Sequence, residues 1–404
     1  MLDVAEALAR LLAAAAPLPA DDGPLDAALG RVLAEDVVAD RDYPPSDRSA
    51  MDGFAVRSAD CAGSGRTLAV VGEVRAGSSG EHVALADGQA ARIFTGAVIP
   101  RGSDAVVMVE RTEESADRRS VTILEPATPG QNVRRRGEEA RAGTTLVTAG
   151  RRLRAAEIAA LASVGRTRVK AVRPPRVAVA STGDELVPDG VTPAPHQIRD
   201  SNARMLLAAL AEIGFEGRSL GTAADDAGSL DALIGRGLAE DALILTGGVS
   251  VGEYDLVRAA FERAGCEVLF HGVAMRPGKP ILAARKGRAL VFGLPGNPLS
   301  AFVGFQVFVA PALRALAGHA HPVASTVRAT LVARLPRRPG RKSYALARFA
   351  RGDGPATVAP VEHASSGDLL AMAEANAFIV ADGDAAPLAA GETVDVLTWS
   401  GDPD

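Results

Sequence analysis

Between residues 174 and 320 the sequence alternates strand-like with helix-like runs, and no other feature restricts the fold as strongly. Apolar runs at 176–181, 215–220, 242–245, 268–270 and 289–292 read as strands; the stretches at 203–214, 229–238, 255–265 and 298–316 read as helices. Strands spaced by helix-length connections pair in parallel, because a long crossover is needed to return the chain to the same end of the sheet. The expected core is a parallel, doubly wound α/β sheet that begins after Pro174-Pro175. At 404 residues the chain is too long for one compact core, so further domains are expected.

Residues 3–16 carry Val4, Leu8, Leu11 and Leu12 on one helical face, with Asp3 as cap. The helical pattern returns over 151–165, where Leu153, Ile158, Leu161 and Val164 are apolar and Gly165 sits at a C-cap. Between these helices, runs at 68–71, 92–94, 105–109 and 121–124 are punctuated by turn residues, as in an all-β domain. The expected organisation is a small helical domain (1–40 plus 141–172), an inserted β domain (41–140), the α/β domain (173–320) and a C-terminal β domain (321–404).

Ligands of an open parallel sheet bind beyond the carboxyl ends of its strands. Four loops fall there. Ser181-Thr182-Gly183-Asp184-Glu185 offers backbone N–H groups and carboxylates for a metal or water, or is simply a turn with solvated acids. In Thr246-Gly247-Gly248-Val249-Ser250-Val251-Gly252 the glycines let backbone approach an anion, though neither the dinucleotide fingerprint nor the Walker spacing is present. Asp255 follows, as a helix cap or a Mg²⁺ ligand. Arg276-Pro277-Gly278-Lys279-Pro280 sets two cations around a rigid turn, suited to an oxyanion or to plain solvent. Pro295-Gly296-Asn297-Pro298 reads chiefly as the capped start of a helix. In the β region, 49–56, Thr95-Gly96 and the charge run 134–139 stand out.

Several classes are disfavoured. A net charge of −5 argues against a nucleic-acid binder. Two cysteines make neither a disulfide framework nor a four-ligand zinc site, and fit a reducing cytosol. The six histidines lack metal-ligand spacing, and no Ser–His–Asp order is legible, so acid–base work falls to carboxylates, a metal or lysine. The N-terminus lacks the order of a signal peptide, and the apolar stretch 301–318 contains Gln306, Pro311 and Arg314, as a buried helix does. The expectation is a cytoplasmic enzyme without membrane or nucleic-acid partners.

Taken together, the stretches 49–56, 92–100, 133–139, 181–186, 197–202, 245–255, 275–280 and 292–300 resemble, in order, the molybdopterin molybdenumtransferase family, which includes bacterial MoeA and the E domain of gephyrin. The resemblance implies an α/β molybdopterin-binding domain, an inserted β domain, a small helical domain, a C-terminal β-barrel and an elongated homodimer. It implies a transferase of molybdenum cofactor biosynthesis that joins molybdate to adenylylated molybdopterin, with Mg²⁺-dependent cleavage of the pyrophosphate and release of AMP. Transient contact with other enzymes of that biosynthesis follows too. By the same resemblance Asp52, Thr95, Glu185, Asp225 and Asp255 are catalytic, with Asp184, Glu185 and Asp255 as metal ligands. Thr182, Gly183, Asp184, Gly247, Gly248, Ser250, Gly252, Arg276, Lys279, Pro295, Asn297, Pro298, Glu139, Arg341 and Ser365 would bind substrate or phosphate.

Two departures stand out. The family often has Lys where Arg276 stands, and Glu-Asp where this chain has Glu138-Glu139. Rival readings are a receptor-clustering scaffold like gephyrin, the preceding adenylyltransferase, and a relative handling tungsten. Intact Asp52, Glu185 and Asp255 favour the enzyme over the scaffold, and the length disfavours the adenylyltransferase.

Overall fold

The computed structural model describes residues 1–188, 190–249, 256–383 and 386–399. The chain forms two compact units: Met1–Ala34 with Gly150–Arg154 and Arg168–Asp404, and Glu35–Ala149 with Ala155–Thr167. The four-part division expected from the sequence remains a proposal beside this packing.

The larger unit is built on a six-stranded sheet in the order Gly217–Ala223, Val177–Thr182, Ala242–Thr246, Ala289–Leu294, Leu282–Lys286, Glu267–His271. The first four strands run parallel, and the last two add antiparallel. Leu282–Lys286 is absent from the sequence reading, because Leu-Ala-Ala-Arg-Lys has no β-branched residue to mark it. The tight turn at Gly287 (φ +60°) pairs it with Ala289–Leu294.

Side-chain alternation explains the double winding. Val177, Val179, Ala242, Ile244, Leu290 and Phe292 enter one apolar cluster; Ala178, Ala180, Leu243, Leu245 and Val291 enter another. Helices Val4–Ala14, Ser201–Glu212 and the Pro298–Leu316 run cover the first face. Ala227–Gly237 and Leu256–Arg263 cover the second. Asp3 caps the first helix by accepting the Glu6 N–H at 2.8 Å. Pro298–Leu316 is long and apolar enough to cross a membrane, but 89% of that window is buried inside the protein.

Beyond the sheet, Lys342–Ala350, Thr357–Pro360, Val327–Leu331, Thr393–Thr398 and Ala377–Ala381 pair in turn, and the last pairs again with the first. This is a closed five-stranded barrel filled by Leu331, Phe349, Val358, Ile379 and Val396. The α/β multidomain class with a C-terminal β-barrel is thus realised.

The smaller unit holds a six-stranded sheet ordered Ala105–Met108, Gly53–Val56, Gln89–Ile93, Arg66–Val74, Ser120–Ile123, Thr112–Glu114. Phe54 and Val56 face one core, and Ala55 faces the other. Gly53 is needed because a Cβ there would overlap the Val107 carbonyl of the neighbouring strand.

One ion pair fixes where the parallel sheet begins. Arg173 donates two hydrogen bonds to Asp241, at 2.6 and 2.7 Å, and the Arg176 N–H donates a third at 2.8 Å. Burial pushes the Asp241 carboxyl up, but these donors outweigh it and hold it below its ordinary 3.8. Asp241→Asn is expected to cost about 2 kcal/mol in denaturant unfolding at neutral pH, the scale of charge-assisted bonds. The lowered value places this contribution above pH 3.8 and removes it as pH falls through the folded-state value. The mutant's deficit should therefore shrink in acid; a deficit independent of pH would remove the ion pair as its cause.

Candidate active site

The parallel strands end in register, with Ser181 opposite Thr246 and Thr246 opposite Leu294. Their loops therefore emerge side by side. The chain leaves Val177–Thr182 for a strand on one side and returns to Ala242–Thr246 on the other, which makes this the topological switch point. A Cβ on Gly247 (φ +94°) would overlap the Thr182 carbonyl, so two loops touch backbone to backbone. The Gly247 N–H donates to Leu294 O at 3.1 Å, and the Gly183 N–H to Ala223 O at 3.3 Å. These two amides donate within the fold.

Carboxylates gather around them. The Thr182 hydroxyl donates to Asp225 Oδ1 at 2.6 Å, and the Asp225 N–H donates to Asp184 Oδ1 at 3.1 Å. Gly248 lies alongside; a Cβ there would stand 3.9 Å from Asp225 Oδ1. The Glu185 carboxylate folds over Gly183, whose Cβ would meet it at 2.6 Å. The Ile198 N–H donates to Glu185 O at 2.8 Å, which brings Asp200 and the helix that it caps, Ser201–Glu212, to the same place.

From that helix Asn202 reaches under the loops. Its Nδ2 donates to Thr246 Oγ1 at 3.0 Å and to Gly296 O at 2.7 Å, while the Thr246 hydroxyl donates to Pro295 O at 3.1 Å. A cavity of about 70 Å³ lies here, lined by Ser181, Thr182, Glu185, Asn202, Thr246, Gly247 and Pro298 among others. A larger cleft of about 500 Å³ adjoins Gly183, Asp184, Arg204, Ser219 and Thr222. The sequence reading carried Ser181 and Thr246 only as hydroxyls of the first two strand-end loops and gave Asn202 no role of its own. Its available signals were hydroxyls ending apolar strands and an amide on an inward helix face.

The remaining expected residues sit on other segments. Asn297 precedes the helix at Pro298 without a side-chain cap bond. Arg276 and Lys279 line neither cavity. Met275–Arg276 pairs in parallel with Lys342–Ala350, setting Arg276 opposite Ser343, two residues past Arg341. A Cβ on Gly278 would stand 3.5 Å from Ser300 O. The Leu299 N–H donates to Ser366 O at 3.1 Å, so the loop carrying Ser365 meets the same helix start. Ser250, Gly252 and Asp255 fall outside the described residues. In the smaller unit, Thr95 donates to Asp52 Oδ1 from its N–H at 2.7 Å and its hydroxyl at 2.8 Å. Glu139 accepts from Arg134 at 2.9 Å, Arg135 donates to Asp47 and Arg136 to Asp42. Among the described residues no three His, Cys, Asp or Glu side chains group as a metal site.

Three families, each matching its own segment, cover most of the chain: the MoeA N-terminal region (domain I and II) at residues 2–165, the probable molybdopterin binding domain at 178–315, and the MoeA C-terminal region (domain IV) at 328–399. The molybdopterin molybdenumtransferase of Staphylococcus aureus is 35% identical over 99% of this chain and 96% of its own length. That of Bacillus subtilis is 37% identical over 92% and 88%. This chain belongs to the molybdopterin molybdenumtransferase family. A crystal structure of a Pyrococcus horikoshii molybdopterin biosynthesis MoeA protein, 34% identical, superposes over 99% of both chains with a TM-score of 0.80. A second structure from that organism gives 0.84 at 28% identity over 98% of this chain and 100% of the other.

As a molybdopterin molybdenumtransferase family member, the chain is a transferase of molybdenum cofactor biosynthesis. The Asp52–Thr95 pair is the part of this geometry that titration can test. The Thr95 N–H, then its hydroxyl, hold the Asp52 carboxyl below its ordinary 3.8. Thr95→Val removes the hydroxyl donor and keeps the N–H. The Asp52 carboxyl, followed by ¹³C NMR, is expected to titrate at higher pH than in the parent. An unmoved titration would show that the hydroxyl does not hold the carboxylate.

Proposed function

We propose that the chain inserts molybdate into adenylylated molybdopterin, giving Mo-molybdopterin and AMP, with Mg²⁺ as its metal. The observation supporting this reading is the strand-end carboxylate set, in which Thr182 holds Asp225, Asp225 N–H holds Asp184, and Glu185 covers Gly183. A phosphoanhydride carries negative charge on both phosphates, and its cleavage near neutral pH requires that charge to be neutralised.

Asp184 and Glu185 offer hard carboxylate oxygens at one loop, and Asp255 is the third proposed ligand. Mg²⁺ keeps several of its waters and is held through carboxylate oxygens and substrate phosphates, and these side chains supply oxygens of that kind. Bound there, Mg²⁺ would neutralise the phosphate oxygens. Thr182 fixes one oxygen of Asp225 and leaves the other to orient water. That water adds across the pyrophosphate bond; its oxygen goes to one phosphate and AMP departs. The dithiolene sulfurs take the molybdenum of the substrate molybdate, whose displaced oxygen leaves as water.

The Gly248 amide, with Ser250 and Gly252, would contact phosphate, while Gly183 and Gly247 supply close approach. Pro295, Asn297 and Pro298 shape the adjoining wall. Arg276 and Lys279, with Arg341 and Ser365 on the barrel side, would hold the molybdate oxyanion. Asp52, Thr95 and Glu139 are further proposed site residues. The working assembly is a homodimer in the cytoplasm, in transient contact with other enzymes of cofactor biosynthesis.

Purified protein given adenylylated molybdopterin, Mg²⁺ and molybdate should release AMP in a molybdate-dependent manner, read by chromatography. Absence of that release would sink the assignment. Asp225→Asn should lower kcat about a hundredfold or more, as expected for a group that moves or orients protons, with the melting temperature and oligomeric state kept. Full turnover in that variant would remove Asp225 from the chemistry.

A further inference from the structure

The run Pro298–Leu316 begins at the strand ends and carries the chain away from them. Arg314 therefore lies near its far end, about 24 Å from Pro298 at roughly 1.5 Å per residue. A cation in the last turn of a helix usually serves free carbonyls there. Here backbone donors already hold those carbonyls. Leu313 O accepts from the Ala317 N–H at 2.9 Å, Arg314 O from His319 at 3.0 Å, Ala315 O from Gly318 at 2.9 Å and Leu316 O from Leu18 at 2.8 Å. The half-buried Arg314 is left with one long bond, to Pro322 O at 3.5 Å, for a group with several N–H donors. Two more basic side chains converge on this helix end. Gly318 (φ +84°) packs on Val172, whose side chain would stand 3.0 Å from a Cβ there, and the half-buried His319 follows it. The Val172 N–H donates to Val32 O at 2.8 Å, and Val32 bridges to the exposed Arg152.

No carboxylate among the described residues pairs with Arg152, Arg314 or His319. That is not for want of acids, since the chain has 49 acidic residues against 44 Lys and Arg. The cations on the strands behind this loop are paired, Arg31 with Asp21 and Arg173 with Asp241. Burial, then the Arg152 and Arg314 charges, push the His319 imidazole down to about 4, so at neutral pH it is uncharged and has an N–H to donate. Burial, then the Arg152 charge, draws Arg314 below its ordinary value as well, though a guanidinium stays charged. A desolvated cation that meets only like charge is relieved by a counter-anion. Two permanent charges and one neutral donor match a dianion; a single carboxylate would leave one guanidinium uncompensated. Guanidinium groups hold tetrahedral oxyanions through paired, charge-assisted bonds. We infer that Arg152, Arg314 and His319 form a binding site for a tetrahedral dianion such as sulfate or phosphate, at the opposite end of the helix from the strand-end loops. This inference does not rest on the proposed reaction.

The test follows the His319 ring by NMR in the full chain labelled with ¹³C-histidine, its signal assigned from His319→Gln. Sulfate is the probe, because it remains a dianion throughout, and chloride keeps the ionic strength constant. Sulfate should shift the His319 signal saturably, with a Kd of about 1 mM or tighter. It should also move the ring's titration to higher pH, since a bound anion favours the imidazolium. Arg314→Gln and Arg152→Gln should each weaken sulfate about tenfold or more. Removing a cation without a partner should leave the sulfate-free melting temperature unchanged or raised, which keeps weakened binding from being read as unfolding. Glycerol 3-phosphate, compared with inorganic phosphate, separates the sources: equal affinity admits a phosphate ester, and weaker affinity names the free ion. A His319 signal unmoved by about 10 mM sulfate would overturn the inference. Parent-like sulfate affinity in either arginine variant would do the same. A lowered sulfate-free melting temperature in Arg314→Gln would mark that guanidinium as a support of the fold and also count against the site.

Discussion

The central strands of the sheet are covered on both faces, and the placing of the polar chemistry depends on this. Every residue of Val177–Thr182 and of Ala242–Thr246 is buried. A charged side chain along either strand would be desolvated without compensation, so ionisable groups concentrate where the strands end. Thr182 and Thr246 mark that limit: each is the last strand residue, buried, with a hydroxyl already committed to a neighbouring group. Carboxylates begin immediately beyond, at Asp184, Glu185 and Asp225.

This division was partly visible before any coordinates. Valine and alanine runs bounded by helix-length segments identify strands buried on both sides, and glycine with hydroxyls after them identifies the loops. What spacing hides is which loops meet. Asp225 lies 43 residues beyond Thr182 and reaches it only because Gly217–Ala223 packs beside Val177–Thr182. Resemblance to the family, and not periodicity, nominated that aspartate. Leu282–Lys286 was illegible for another reason: its residues have weak strand preference, and its place comes from a hairpin turn.

Asn202 illustrates a third kind of hidden information. Its amide was available as a letter in the 197–202 stretch, but the direction in which it points is decided by two carbonyls nearly a hundred residues downstream. Likewise the basic run at 134–136 reads as solvated charge, whereas the fold gives each arginine an acidic partner. In both cases residue type alone suggests a capacity to bind, and the hydrogen-bond inventory states how much of that capacity is left over.

The closed barrel has a mechanical consequence for the turn that carries Arg276 and Lys279. Besides its partners within the barrel, Lys342–Ala350 pairs outward with Met275–Arg276. The turn bearing Arg276 and Lys279 is therefore tied to the barrel through Met275–Arg276 and to the sheet through the flanking strands Glu267–His271 and Leu282–Lys286. The two halves of the proposed reaction centre are thus held by one continuous backbone framework. Barrel and sheet also share one apolar core, in which Phe302 packs against Phe378 and Trp399.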